Sequence, residues 1–215
     1  MATTGTWKHQ LSPENIITRY ASLDIETSGI DPTTSQTVAI GVGLYDELNQ
    51  HQSVDVLTYG GAMGCERTLI RRAFERINDF EPRALVTYNG KEFDLPYLRE
   101  RIDRLSFDQR PELSCADHHI DRFLPRKEHA DEVGQKWPSL EEVLSSHGIT
   151  VEPTEWRGEE LTNTMFGESL APEYLQAVED GDWERVEEFD QIIHRYTMAD
   201  VEGNLVLYEA DAGRR

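Results

Sequence analysis

The chain of 215 residues carries 41 acidic against 21 basic side chains, a formal net charge of −20 at pH 7. It is long enough for one large domain with a sizeable core, has no apolar run of about 18 residues to span a membrane, and begins without the basic-then-apolar order of a secretory signal. Cys65 and Cys115 are too few and too isolated for a disulfide framework or a structural zinc site, so a soluble cytoplasmic protein is the expectation.

Three strands are predicted first, over 19–26, 37–46 and 51–59, each rich in β-branched or aromatic residues and closed by turn residues. Leu69, Ile70, Ala73, Phe74 and Ile77 then recur at helical spacing. "RALVTYN" reads as a short buried strand and "KEFDLPYLRERIDRL" as the helix after it, with Pro96 in the first turn, where a missing N–H costs little. "LSCADHHI" reads as a further strand ending in Asp117. "PSLEEVLSSHGI" predicts a short helix with Ser139 as N-cap, Glu142 three residues later and Gly148 as the stop. Residues 150–170 have no clear period. A long helical pattern follows, with Val186, Phe189, Ile192, Ile193, Tyr196, Val201, Leu205 and Leu207 on its apolar side. Three consecutive strands followed by alternating helix and strand predict an α/β fold with a mixed sheet. The first three strands are expected to be antiparallel, and the later ones parallel to the first. Residues 19–211 are expected to form one domain, with 1–18 an N-terminal extension and 212–215 a short tail.

The acids are spread along the chain, and only four of the basic residues are lysines. One reading is adaptation to concentrated salt, which screens self-repulsion over about 3 Å at 1 M; this composition resembles proteins of extreme halophiles. The other is a surface for a basic partner, although no block of like charge marks one.

Asp24 and Glu26, two apart at the end of the first strand, share one side of it. Two close carboxylates repel unless a cation or a shared proton relieves them. Such a pair arises easily by chance in a chain this acidic. Asp94 adds a third acid among Phe93, Leu95, Pro96, Tyr97 and Leu98, where an unpaired charge is expensive; the plainer reading is an acid favouring a helix N-terminus. Tyr196 and Asp200, four apart, stack on one face of the last helix. His194 lies off that face and reads as a surface residue, and the "DHH" at 117–119 as polar loop.

Together "DIET", "YNGKEFDLPYL" and "YTMAD" resemble the three motifs of the DnaQ-like 3′–5′ exonucleases of ribonuclease H-like fold, in the branch with tyrosine in the third motif. The second motif is similar to that of family B DNA polymerase proofreading domains. "WPSLEEVLSSHGI" with "EWRGEEL" looks like the YprB-like stand-alone predicted exonucleases. The resemblance covers roughly residues 21–210 and implies a five-stranded mixed sheet flanked by helices. It further implies that Asp24, Glu26, Asp94 and Asp200 hold two Mg²⁺ or Mn²⁺ ions, with Asp24 bridging both. Glu26 and Asp200 complete the one that carries the attacking water, and Asp94 serves the other. Tyr196, whose ordinary pKa near 10 makes it a poor base, orients that water. Thr27, Asn89, Phe93 and Leu95 line the pocket for the terminal nucleotide. The implied substrate is the 3′ end of single-stranded nucleic acid, DNA ahead of RNA, with no membrane partner; a place in DNA repair or replication is left open. A basic strip from Arg99, Arg101, Arg104, Arg122 and Arg126 is expected to offset the acidic charge. The alternatives are a non-catalytic ribonuclease H-like binding module and a generic acidic cation binder.

Overall fold

A computed structural model describes residues 7–60 and 64–214. Its centre is a five-stranded sheet in the order β3-β2-β1-β4-β5. β1 (Arg19–Thr27), β2 (Thr37–Asp46) and β3 (His51–Thr58) form an antiparallel meander. β4 (Leu85–Thr87) and β5 (His119–Asp121) add parallel to β1. This is the mixed sheet expected from the sequence, because short turns allow antiparallel neighbours while helical crossovers return the chain in the parallel sense.

One face of the sheet is covered by α1 (Glu66–Phe80) and α2 (Asp94–Arg104). Leu23, Ile25, Ile40, Val42 and Leu44 pack there against Leu69, Ile70, Phe74, Leu98 and Ile102. Full burial of a side chain of this kind contributes about 1.5–3 kcal/mol. On the other face lies the 29-residue helix α7 (Trp183–Asp211). Its seat is cut by Gly41 and Gly43 of β2. A Cβ on Gly41 would collide with Val201 Cγ2, and one on Gly43 would come within 2.8 Å of Val201 Cγ1. Bare backbone at these two positions lets the helix settle directly on the sheet.

α3 (Leu124–Val133) and α4 (Leu140–Ser146) follow β5. α4 starts with the expected capping box: Glu142 N–H donates to Ser139 Oγ at 3.3 Å, and Ser139 N–H donates to Glu142 Oε2 at 2.8 Å. The stretch without a clear period contains a two-residue hairpin, β6 (Glu155–Trp156) with β7 (Glu159–Glu160), then the single turn α5 (Asn163–Met165) and a π-helical segment, Phe166–Leu170. α6 (Ala171–Asp180) ends at Gly181 in the left-handed conformation, so two helices stand where one closing pattern was read. No helix among the described residues is long and apolar enough to cross a membrane.

One strand is displaced from its sequence-based position. Residues 114–117 form turns, and β5 begins at His119 and ends in Asp121, not Asp117. Asp117 and His118 are exposed, while His119 is tied into the sheet with Nε2 2.7 Å from Thr87 Oγ1. Burial lowers the His119 pKa to about 4, so the ring is neutral near pH 7.

Candidate active site

Asp24 pairs across the β1–β2 ladder with Gly41, and Glu26 with Ala39. Directly opposed residues point to the same face, and Gly41 faces α7, so both carboxylates point toward that helix. α7 brings Asp200 to them from the turn that packs Thr197 and Val201 over Gly41. One carboxylate oxygen from each of Asp24, Glu26 and Asp200 lies within 4.8 Å of the others. Asp94 arrives from the sheet's other side at the start of α2, and its Oδ1 accepts the Ile25 N–H at 3.1 Å. All four acids line one cleft of about 420 Å³.

The loop leading to Asp94 is shaped by an acid that sequence reasoning missed. Asp121, at the end of β5, accepts N–H bonds from Asn89 at 2.9 Å, Lys91 at 2.8 Å and Phe123 at 2.9 Å. Asn89 sits there with a left-handed φ of 72°, a conformation asparagine tolerates better than most residues. The signal available in the sequence was an aspartate just beyond a β-branched residue, but its work is done on backbone groups.

Electrostatically the four acids are in conflict. Burial, and then the charges of Asp94 and Asp200, hold Asp24 well above the usual carboxylate range. Burial followed by Asp200 and Asp94 does the same to Glu26. Burial pushes Asp94 up to about 7, against the pull of the Ile25 N–H. It pushes Asp200 to about 7 as well, with Glu141 and Asp94 adding to the effect. Glu26 and Asp94 are only 8% and 4% exposed, so solvent relieves little of this. Hard carboxylate oxygens converging from three elements are a donor set suited to Mg²⁺ or Mn²⁺, and a cation would remove the repulsion. Among the described residues the sequence "DHH" at 117–119 makes no such group.

Tyr196 stands on α7 one turn before Asp200, behind Asn163 and Phe166, and is not itself among the residues lining the cleft. Its hydroxyl donates to Asn163 Oδ1, and its ring stacks on Phe166 with centroids 5.5 Å apart and an interplanar angle of 21°. Burial, and then Glu26 and Asp200, raise its pKa above the ordinary tyrosine value. Asn163 and Phe166 were invisible in an aperiodic stretch, yet both line the cleft, as does Glu141.

Thr27, Asn89 and Phe93 line the cleft, but Leu95 does not. Its side chain belongs to the core under α1 and borders a second depression on that side of the sheet. One helical step of about 100° from Asp94 turns it away. The expected arginine strip is also absent from the cleft lining. Arg122 and Arg126 are buried on Asp211, Arg101 is locked on Glu66, Arg104 pairs with Glu100, and Arg99 borders the second depression. His194 is exposed, as expected.

The fold agrees with comparisons to known proteins. The sequence profile of the RNase_H superfamily matches residues 21–203, and the chain belongs to that superfamily. A DNA polymerase of Thermococcus kodakarensis is 27% identical over 158 residues, 71% of this chain and 9% of the polymerase. One from Pyrococcus glycovorans is 41% identical over 49 residues, 23% of this chain and 6% of that protein. The family B DNA polymerase of Pyrobaculum calidifontis superposes with a TM-score of 0.61 at 21% identity, over 89% of this chain and 24% of that one. The chain thus matches only a small part of each polymerase.

Proposed function

We propose that the protein is a metal-dependent 3′–5′ exonuclease that removes nucleotides from single-stranded ends, DNA ahead of RNA, as nucleoside 5′-monophosphates. The observation that carries this reading is the convergence of Asp24, Glu26 and Asp200 within 4.8 Å, in the cleft that Asp94 also lines. Their order along the chain is that of the three exonuclease motifs they resemble, and the likeness to parts of DNA polymerases supports the same reading.

Two divalent cations held by these carboxylates would supply charge neutralisation at the phosphate and an acidified water. Asp24, Glu26 and Asp200 would hold one, and Asp94, anchored by the Ile25 N–H, would share in holding the other. Burial and the neighbouring acids raise the Tyr196 pKa and so disfavour the phenolate near neutral pH, which supports an orienting role over that of a base. Since its proton is given to Asn163 Oδ1, its oxygen is left to accept a hydrogen bond. That free lone pair would let it orient the attacking water. Thr27, Asn89, Phe93 and Phe166 wall the space in which a terminal base and sugar would be held.

The test is incubation with 5′-labelled single-stranded DNA and RNA in high salt, with Mn²⁺ or EDTA. A ladder shortening by one nucleotide from the 3′ end, absent in EDTA and in Asp24→Ala, is the expected result. No cleavage of either polymer by metal-loaded protein would replace this reading with that of a binding module.

A further inference from the structure

The cleft does not end at its acidic floor. Tyr88 and Phe123 line one wall with centroids 5.2 Å apart, and Trp137 meets Phe123 edge-on at 6.0 Å. Together, with Phe123 a buried support only 7% exposed, they form an aromatic path from cleft to surface. Its outermost member is 47% exposed, whereas Trp156 in the core is 6% exposed. Trp137 is nevertheless fixed: its Nε1–H donates to Asp131 at 2.7 Å, and Lys127 Nζ sits 4.3 Å from its ring centroid.

The distribution of lysine points the same way. The chain has four lysines; one of them touches this path and two more lie near it in the sequence. Lys127 covers Trp137, Lys136 is its chain neighbour, and Lys91 lies in the loop between the cleft residues Asn89 and Phe93. Lys127 also pairs with Glu92 at 2.6 Å, so its charge is partly committed and rings carry more of the interaction than cations do. Flat rings beside a few cations fit stacked bases and their phosphates, and stacking tolerates any sequence. For a chain of net charge −20 this is a sensible division, since binding by neutralising phosphates fades in salt.

We propose that Trp137, seated on Phe123 at the mouth of the cleft, is a second subsite, which stacks a base of a single strand upstream of the terminal nucleotide. The proposal rests on reading the cleft as a nuclease site, and it adds a length preference: strands reaching Trp137 bind better than those ending short of it.

The test measures anisotropy of 5′-fluorescein-labelled oligothymidylates of two to eight nucleotides in EDTA, which prevents hydrolysis. In the wild type, affinity is expected to rise with length. Trp137→Ala should weaken binding of the eight-nucleotide strand about tenfold, the scale of one lost stacking platform. Trp137→Phe should retain most of that affinity, and Trp183→Ala, which removes an exposed tryptophan outside the cleft, should match the wild type. Equal affinity of Trp137→Ala and wild type for the eight-nucleotide strand, or no length dependence in the wild type, would overturn the subsite. Hydrolysis of the p-nitrophenyl ester of thymidine 5′-phosphate by wild type with Mn²⁺ tests the terminal site separately. Turnover without Trp137-dependent binding sinks the subsite alone; Trp137-dependent binding with no hydrolysis of ester or strand supports the subsite and sinks the nuclease.

Discussion

Two places in this molecule bury carboxylates, and they resolve the cost in opposite ways. At one end of α7, Asp211 is fully enclosed, with Arg122 Nη2 at 2.6 Å and Arg126 Nη2 at 2.8 Å. The same guanidiniums donate to the carbonyls of His9 and Trp7 and so pin the first described residues to the fold. Near the middle of the helix, Asp200 faces Asp24, Glu26 and Asp94 with no guanidinium among the residues lining their cleft. Both sites pay desolvation, but only one returns it within the protein. A buried charge matched by its own chain serves the architecture, and one left unmatched is a receptor for something of opposite sign.

That contrast can be broken by substitution, beginning with the largest effect. Asp24→Ala should lower the nuclease rate by about 10³-fold or more, roughly 4 kcal/mol of barrier, while circular dichroism remains that of the wild type. Asp211→Asn should do the reverse, costing about 3–5 kcal/mol of stability because it leaves two guanidiniums buried with weakened compensation. Urea unfolding and the rate per folded molecule check the two halves of this statement. Tyr196→Phe should slow turnover by about tenfold, the share of an orienting hydrogen bond, and should leave the pH profile in place, since no proton passes through the phenol. A shift of that profile would return Tyr196 to the role of base.

The dependence on pH sharpens the comparison further. Asp94 and Asp200 have folded pKa values pushed up to about 7, above the unfolded value of about 3.9. Each group therefore binds its proton more tightly in the folded state. The stability it contributes is fully present below about pH 4 and is lost as pH rises through about 7. In EDTA, the melting temperature relative to Asp94→Asn should fall across that window. The stabilisation given by Mn²⁺ should grow across it, because cation and proton compete for the same oxygens. A Mn²⁺ increment independent of pH would show that the ion binds elsewhere. The smallest effect is on stability at a residue that also lines the cleft: Ser139→Ala should cost about 1 kcal/mol through loss of the α4 cap, read as a lower urea midpoint.

What the sequence made legible follows from how each residue acts. The meander and the helix α1 announce themselves through repeated apolar positions, and the four carboxylates through ordered motifs with apolar flanks. β5 does not, because three residues are too few to show a period, and the polar run before it mimicked alternation. Asp121 acts on backbone N–H groups of another loop, so no side-chain partner advertised it. Arg122 and Arg126 were read as surface charge because Asp211 lies 89 and 85 residues away in the chain. Leu95 was misjudged by proximity to Asp94, when helix phase separates the two. Asn163 and Phe166 come from an irregular stretch whose only cue, a threonine cap on a single turn, says nothing about what it faces.

The glycine seat on β2 has a temporal consequence. Gly41 and Gly43 are made early in synthesis, but the helix they receive carries Asp200, and the acids of β1 gain their third partner only when α7 docks. Asp24 and Glu26 emerge from the ribosome together but far from Asp200, which comes much later in the chain. The unfinished chain thus holds no assembled cation trap, and competence arrives as a single late step with the closing of the fold.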